Sequence, residues 1–214
     1  MPITTETRLR EIYGPATPRA LAKQLDRIDT HCRSFIAASP FLLMSTSDGD
    51  RLDVSPKGDR PGFVVVEDDR HLLIPDWPGN SRIDGMRNIL AHPRVGLIFL
   101  IPAVRETLRL NGAATIHDDP ELLEQCALKG RLPLTVIRIA VEEVFLHCAK
   151  ALLRSKLWQP ETWPESRPIA TMSEIMLDHS GIGDPAESDA DMTARYLEIL
   201  TAEGRGEAPC SNGP

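Results

Sequence analysis

Asn80, Ser81 and Arg82 stand in a row inside PDWPGNSRIDGMRNILAHPRV, residues 75 to 95, just ahead of a run of helix formers. Their types suit the binding of an anion. A helix N-terminus presents unpaired backbone N–H groups and a partial positive charge. Asn80 and Ser81 would add side-chain donors at that spot, and Arg82 a planar fork that matches phosphate oxygens. Ser81 to Asp84 fits the S-x-x-[DE] capping pattern, which predicts a helix over 81–91 with Ser81 as N-cap. Ile83, Met86, Ile89 and Leu90 would form its apolar stripe, and His92-Pro93 would end it. The same residues suit a plain capped surface helix with a solvated arginine, so the motif alone leaves both readings open.

A second cation lies one hairpin upstream, where DVSPKGD (53–59) places Lys57 beside Pro and Gly turn formers. Pairing of a 52–55 strand with a 71–74 strand would bring Lys57 towards the 76–82 loop. Trp77 and Trp158 could stack on an aromatic ligand or fill a core or interface. His31-Cys32 and His147-Cys148 lack a third ligand at metal spacing, so no metal site is assigned. No G-x-S-x-G, H-E-x-x-H or P-loop pattern occurs. The Asp48/Asp50, Asp68/Asp69 and Asp118/Asp119 pairs fall where carboxylates cap turns.

The elements that must hold these residues are mainly strands. Residues 41–46, 52–55, 62–66, 71–74, 95–101, 107–116, 134–140 and 141–147 are short apolar or β-branched runs divided by turn formers. About seven strands at this spacing predict an antiparallel barrel or sandwich. An amphipathic helix is expected over 18–31, with Leu21, Leu25 and Ile28 at helical spacing behind Pro18. Shorter helices are expected at 119–128, at about 148–157, in TMSEIMLDHSG and in ESDADMTARYLEILTAEG. The chain thus divides into an N-terminal helical segment (1–34), a barrel (35–160), a helical extension (161–204) and a flexible tail (205–214).

Composition bounds the function. With 214 residues, the chain is long enough for one core that buries roughly 70% of its unfolded surface. Its 42% hydrophobic and 26% charged residues place it in the globular class. A formal net charge of −7 argues against a nucleic-acid partner, whose affinity comes from a Lys/Arg surplus. The longest apolar run, Val95 to Val104, is interrupted by Pro102 and too short for a bilayer, so no membrane role is expected. MPITTETRLR carries no apolar signal core, and four dispersed cysteines without a C-x-x-C pair fit a reducing cytoplasm.

In the order DVSPKGD, PDWPGNSRIDGMRNIL, AHPRVGLIFL and ETLRLNGAATI, the sequence resembles the pyridoxamine 5′-phosphate oxidase-related FMN-binding split-barrel family. Within it, the chain is similar to a flavoprotein branch with D-x-S-P-[KR]-G-D and P-D-x-x-G-N-x-R patterns. The likeness covers about residues 35 to 160. It implies a mainly β, α+β fold: a six-stranded antiparallel split barrel, paired as a homodimer, with FMN in the groove between subunits. Ser55, Pro56 and Lys57 would run along the flavin, and Ser81 and Arg82 would hold its phosphate. Asp76, Trp77 and Asn80 would lie near the ribityl chain or ring. The segment from His147 to Trp158 matches the end of the barrel where a second subunit reaches the flavin, which adds Lys150, Ser155 and Trp158.

The resemblance implies an FMN-dependent oxidoreductase acting on a small molecule, with NAD(P)H or another reductant, and names no catalytic residue. Lys57 near N1 and O2 of the flavin would stabilise its reduced, anionic form. The chain lacks the C-terminal Arg-x-His element of the vitamin B6 oxidases, and Asp178-His179 does not replace it. Oxidation of pyridoxamine phosphate is therefore not expected. The alternatives are a flavin-binding or flavin-reductase-like module serving a protein partner, or a split barrel that uses haem or a deazaflavin.

Overall fold

The computed structural model describes residues 1–182 and 187–205. Helices α1 (Glu6–Tyr13), α2 (Pro18–Ala22) and α3 (Thr30–Ala38) lead into β1 (Phe41–Ser47), β2 (Leu52–Gly58), β3 (Val65–Val66) and β4 (His71–Asp76). Then come α4 (Asp84–Ala91), β5 (Arg94–Leu100), β6 (Thr107–His117), α5 (Pro120–Gln125) and β7 (Thr135–His147). Helices α6 (Lys150–Ser155), α7 (Met172–Ser180) and α8 (Asp189–Ala202) follow, with a single 3₁₀ turn at Pro160–Thr162.

The seven strands form one sheet in the order β2-β1-β5-β6-β7-β4-β3, with antiparallel neighbours throughout. Period-two alternation decides which side chains face in. On β1, Leu42, Met44 and Thr46 are buried while Phe41, Leu43 and Ser45 face outward. Leu97 and Phe99 of β5, Leu108 and Leu110 of β6 and Ile137 and Ile139 of β7 join them, with Ile36 of α3 and Ile89 of α4 closing over the core. Each such burial is worth about 1.5–3 kcal/mol.

The sheet curls without closing. Strands β2 and β4 stand near opposite margins of the strand order, yet Lys57 Nζ on β2 lies 2.7 Å from Asp76 Oδ1 at the end of β4. Side chains, not a backbone ladder, bridge the gap, which is the split of a split barrel. A β-bulge helps the sheet bend: Asn111 faces Glu143 and Gly112 faces Val141, leaving Glu142 as the extra residue.

Several expectations need correction. Strands 52–55 and 71–74 do not pair; β2 pairs with β1, and β4 with β3 and β7. The runs 134–140 and 141–147 are one strand of 13 residues, because no turn former separates Ala140 from Val141 and the bulge absorbs the irregularity. The sheet has seven strands rather than the implied six, the two-residue β3 being the remnant of the expected 62–66 strand. The single helix expected over 18–31 is broken. Leu25 instead exchanges two backbone hydrogen bonds with Val144, at 3.0 and 2.9 Å, so a tertiary bridge overrides local helical spacing. Helix α1 lies within the expected 1–34 helical segment but ahead of the 18–31 helix; Thr5 caps it and none of its residues is buried. Beyond Arg205, the expected tail lies outside the described residues.

Candidate functional site

The Asn80–Arg82 stretch is a loop, and the helix begins two residues later than its capping pattern suggests. Helix α4 starts at Asp84, and Ser81 is not its N-cap. Instead Ser81 and Ile83 adopt left-handed backbone angles, φ 59° and 50°. Asn80 Oδ1 accepts a hydrogen bond from the Arg82 N–H at 3.1 Å, folding the loop back on itself. A β-branched residue at positive φ is an outlier that costs about 1–3 kcal/mol, and such strain concentrates at ligand sites. Left-handed residues in a turn bring neighbouring N–H groups to one side, the backbone basis of an anion-binding nest. The expected stripe is also incomplete. Ile89 is buried, but Ile83 and Leu90 are exposed, since only one narrow edge of α4 meets the barrel.

Helix α4 is pinned by Ile89 in the core and by Asn88 Nδ2, which donates to buried Thr46 Oγ1 on β1 at 3.0 Å. This fixes the loop against the open margin of the barrel. A cavity of about 590 Å³ results, lined by Ser55, Pro56 and Lys57 of β2, Asp76 and Trp77 after β4, and the 78–86 stretch. Its size falls within the usual range for small ligands and cofactors. Eight residues singled out in the sequence (Ser55, Pro56, Lys57, Asp76, Trp77, Asn80, Ser81 and Arg82) therefore meet in one place.

The charges there are finely balanced. Lys57 and Arg82 face three carboxylates, Asp53, Asp76 and Asp84. Lys57 is spoken for by Asp76, both half-buried, and Arg82 Nε donates to Asp84 Oδ2 at 2.8 Å. Asp84, the largest influence on it, holds the Arg82 pKa above its already high ordinary value. No general positive field draws an anion into this cavity. Directed donors would have to hold it, with Arg82 turning from Asp84 to the ligand. That exchange costs little, because the Arg82 side chain is 76% exposed and the pair is screened by water.

Lys150, Ser155 and Trp158 are elsewhere. Strand β7 runs from Thr135, paired with Asp76 beside the cavity, to His147, paired with Thr107. Its 13 residues span roughly 40 Å at about 3.3 Å each, and α6 follows its far end. There Lys150 is exposed, the Ser155 hydroxyl donates to the Leu152 carbonyl at 3.2 Å, and Trp158 Nε1 donates to the Val104 carbonyl at 2.9 Å. Within one chain, these three do not reach the cavity.

Several of the remaining chemistry-bearing residues have structural roles, while Cys148 is an exposed free thiol. Burial pushes the Cys32 thiol up to about 12 and the Cys126 thiol up to about 11, so neither is a thiolate nucleophile at neutral pH. Asp48 and Asp68 accept hydrogen bonds from backbone N–H groups of their own turns. Glu67, Asp68 and His71 lie close together, but Arg138 Nε engages Glu67 and the Asp68 carboxylate engages His71 Nδ1. Missed in the sequence was Arg205, whose guanidinium reaches Asp59 and the Trp77 ring from the other end of the chain. No local pattern could have marked it.

A family model for pyridoxamine 5′-phosphate oxidase matches residues 28–148, more than half of the chain. The chain belongs to the pyridoxamine 5′-phosphate oxidase family. The matched span contains every strand and the whole cavity lining, which agrees with the DVSPKGD and PDWPGNSR blocks. Among solved structures, this family member is similar to a protein described as a pyridoxamine 5′-phosphate oxidase from Lactobacillus delbrueckii, at 21% identity and a TM-score of 0.46, covering 57% of this chain and 98% of that one. It is similar to HupZ of Group A Streptococcus at 20% identity and a TM-score of 0.45, covering 56% and 93%. General Stress Protein 26 of Bacillus anthracis follows at 15% identity and a TM-score of 0.39, covering 53% and 88%. No curated protein matches the sequence. Among the described residues, no helix is long and apolar enough to cross a membrane.

Proposed function

We propose that this protein binds FMN in the 590 Å³ cavity and works as a flavin-dependent oxidoreductase on a small molecule. The observation that carries the reading is the meeting of 55–57 of β2 with 76–77 at the end of β4 and the loop residues 80–82 around one cavity, where the strained loop carries an exposed arginine. Ser81 and Arg82 would hold the phosphate. Asp76, Trp77 and Asn80 would line the ribityl chain and ring. Ser55, Pro56 and Lys57 would follow the ring edge. Bound FMN would supply hydride or electron transfer, and the protein's share is orientation and charge.

A second copy completes this reading. Lys150, Ser155 and Trp158 can contribute to a flavin site only from a partner subunit, because their own cavity lies at the other end of β7. The outer face of β2 supports such a contact: Leu52 and Val54 are 79% and 60% exposed, beside exposed Phe41 and Ile98 of β1 and β5. Exposed apolar side chains in such a group mark association surfaces. NADH or NADPH is the proposed reductant and the cytoplasm the proposed location.

The decisive experiment is the absorbance spectrum of protein purified without added cofactor, with mass spectrometry of what heating releases. Flavin bands and released FMN are expected, at the mass of a dimer by sedimentation. A colourless protein that also fails to take up added FMN overturns the reading. Steady-state turnover with NADH or NADPH then separates an oxidoreductase from a flavin-carrying module.

Lys57 offers a finer test. A half-buried cation beside the ring stabilises negative charge on reduced flavin, so Lys57→Ala is expected to lower the reduction potential of the bound flavin in a dye-coupled titration. An unchanged potential removes Lys57 from that role.

A further inference from the structure

Trp77 is common to three cavities: the one of about 590 Å³ and two smaller ones of about 160 and 170 Å³. It stands where the three adjoin, so what holds its side chain helps shape the wall a ligand meets. Arg205 holds it. The guanidinium carbon lies 5.6 Å from the Trp77 ring centre, within cation–π range. Arg205 Nε donates to Asp59 Oδ2 at 3.0 Å, with the two side chains only 16% and 8% exposed. Its other nitrogens face the Gly58 carbonyl and Glu203 Oε2, both at 3.5 Å.

The geometry that delivers Arg205 is built into the end of α8. Gly204 takes a left-handed φ of 74°, its N–H donates to the Thr201 carbonyl at 2.9 Å, and the Arg205 N–H donates to the Leu200 carbonyl at 2.8 Å. This is a Schellman ending, which reverses the chain just past the helix. Arg131 Nη1 donates to the Ala202 carbonyl at 2.6 Å, tying the same turn to the barrel. The last described turn of the chain is thus fastened at the site's edge by an arginine that touches the site's own tryptophan.

We propose that Arg205, delivered by the turn that ends α8, is the positioning residue for the Trp77 ring at the edge of the ligand site. The proposal rests on the FMN reading above and adds to it a part of the chain outside the span matched by the family. Arg205 pairs with Asp59 and Glu203 and carries its guanidinium over the Trp77 indole. A lysine could keep the charge but not the planar fork.

The test compares wild type, Arg205→Lys and Arg205→Ala in two readouts: the release rate of FMN from the holoprotein, and acrylamide quenching of Trp77 emission in the apoprotein. Trp77 emission is isolated by subtracting the Trp77→Phe counterpart of each. Loss of the guanidinium over the ring is expected to speed FMN release roughly fivefold and to raise Trp77 quenching in both variants. Arg205→Lys is expected to melt close to wild type, since Asp59 keeps a cation. Wild-type values in both readouts for both variants overturn the proposal. So does faster release in Arg205→Ala alone, with lower melting and an Arg205→Lys variant like wild type, which marks a mere clamp on the helix. If wild type binds no FMN, the FMN reading falls, and the quenching comparison still decides whether Arg205 positions Trp77.

Discussion

Arg82→Ala is expected to weaken FMN binding roughly 10- to 100-fold while leaving riboflavin binding nearly unchanged. One charge-assisted hydrogen bond to phosphate is worth about 1.5–3 kcal/mol net, and each 1.4 kcal/mol is tenfold in affinity. The selectivity follows from placement. Arg82 stands on the loop before α4, mostly exposed and ion-paired with Asp84, so its removal disturbs no packing. Folding stability is expected to stay within about 0.5 kcal/mol of wild type, as for surface substitutions. Fluorescence titration of apoprotein with FMN and with riboflavin measures both affinities. Equal losses for the two ligands would move the phosphate away from Arg82.

Gly112→Ala is expected to be the most damaging single-methyl change in the barrel. A Cβ at Gly112 would lie 2.1 Å from the Ala140 carbonyl oxygen, and that atom is backbone in the neighbouring central strand. The bulge between Asn111 and Gly112 brings the two chains this close, so relief requires the bulge to reform. The expected loss is about 3 kcal/mol or more, the upper end for overpacking. That is a large share of a typical domain's 5–15 kcal/mol. Gly85→Ala makes the control, since a Cβ there meets only ordinary contacts of 3.5 Å or longer. Urea unfolding of the two variants gives the comparison, and a Gly112→Ala protein as stable as wild type would show that the bulge is soft.

Much of this was legible in the sequence because strands announce themselves locally. Alternating apolar runs such as FLLMST and TLRLNGAATI depend on near neighbours, and they fall where β1 and β6 form. Helix α4 shows the limit of that reading. Its S-x-x-D pattern promised a cap at Ser81, but the chain must first turn back over the open barrel margin, so Ser81 and Ile83 take left-handed angles and the helix starts at Asp84. The 18–31 helix failed for a related reason: Leu25 gains two long-range hydrogen bonds from Val144 that no local pattern records.

By itself, the sequence determined the element types, the family blocks and the residue chemistry of the cavity: a lysine after Ser-Pro, a tryptophan after Pro-Asp, and an Asn-Ser-Arg loop. These depend on neighbours within a few positions, where sterics and hydrogen-bonding propensity act directly. Only the tertiary structure decided that Lys57 meets Asp76 across an unpaired gap, that Lys150, Ser155 and Trp158 stand a full strand length away, and that Arg205 lies against Trp77. These two contacts join residues 19 and 128 positions apart. They follow from how the sheet curls and where the last helix ends, which are properties of the packed core as a whole.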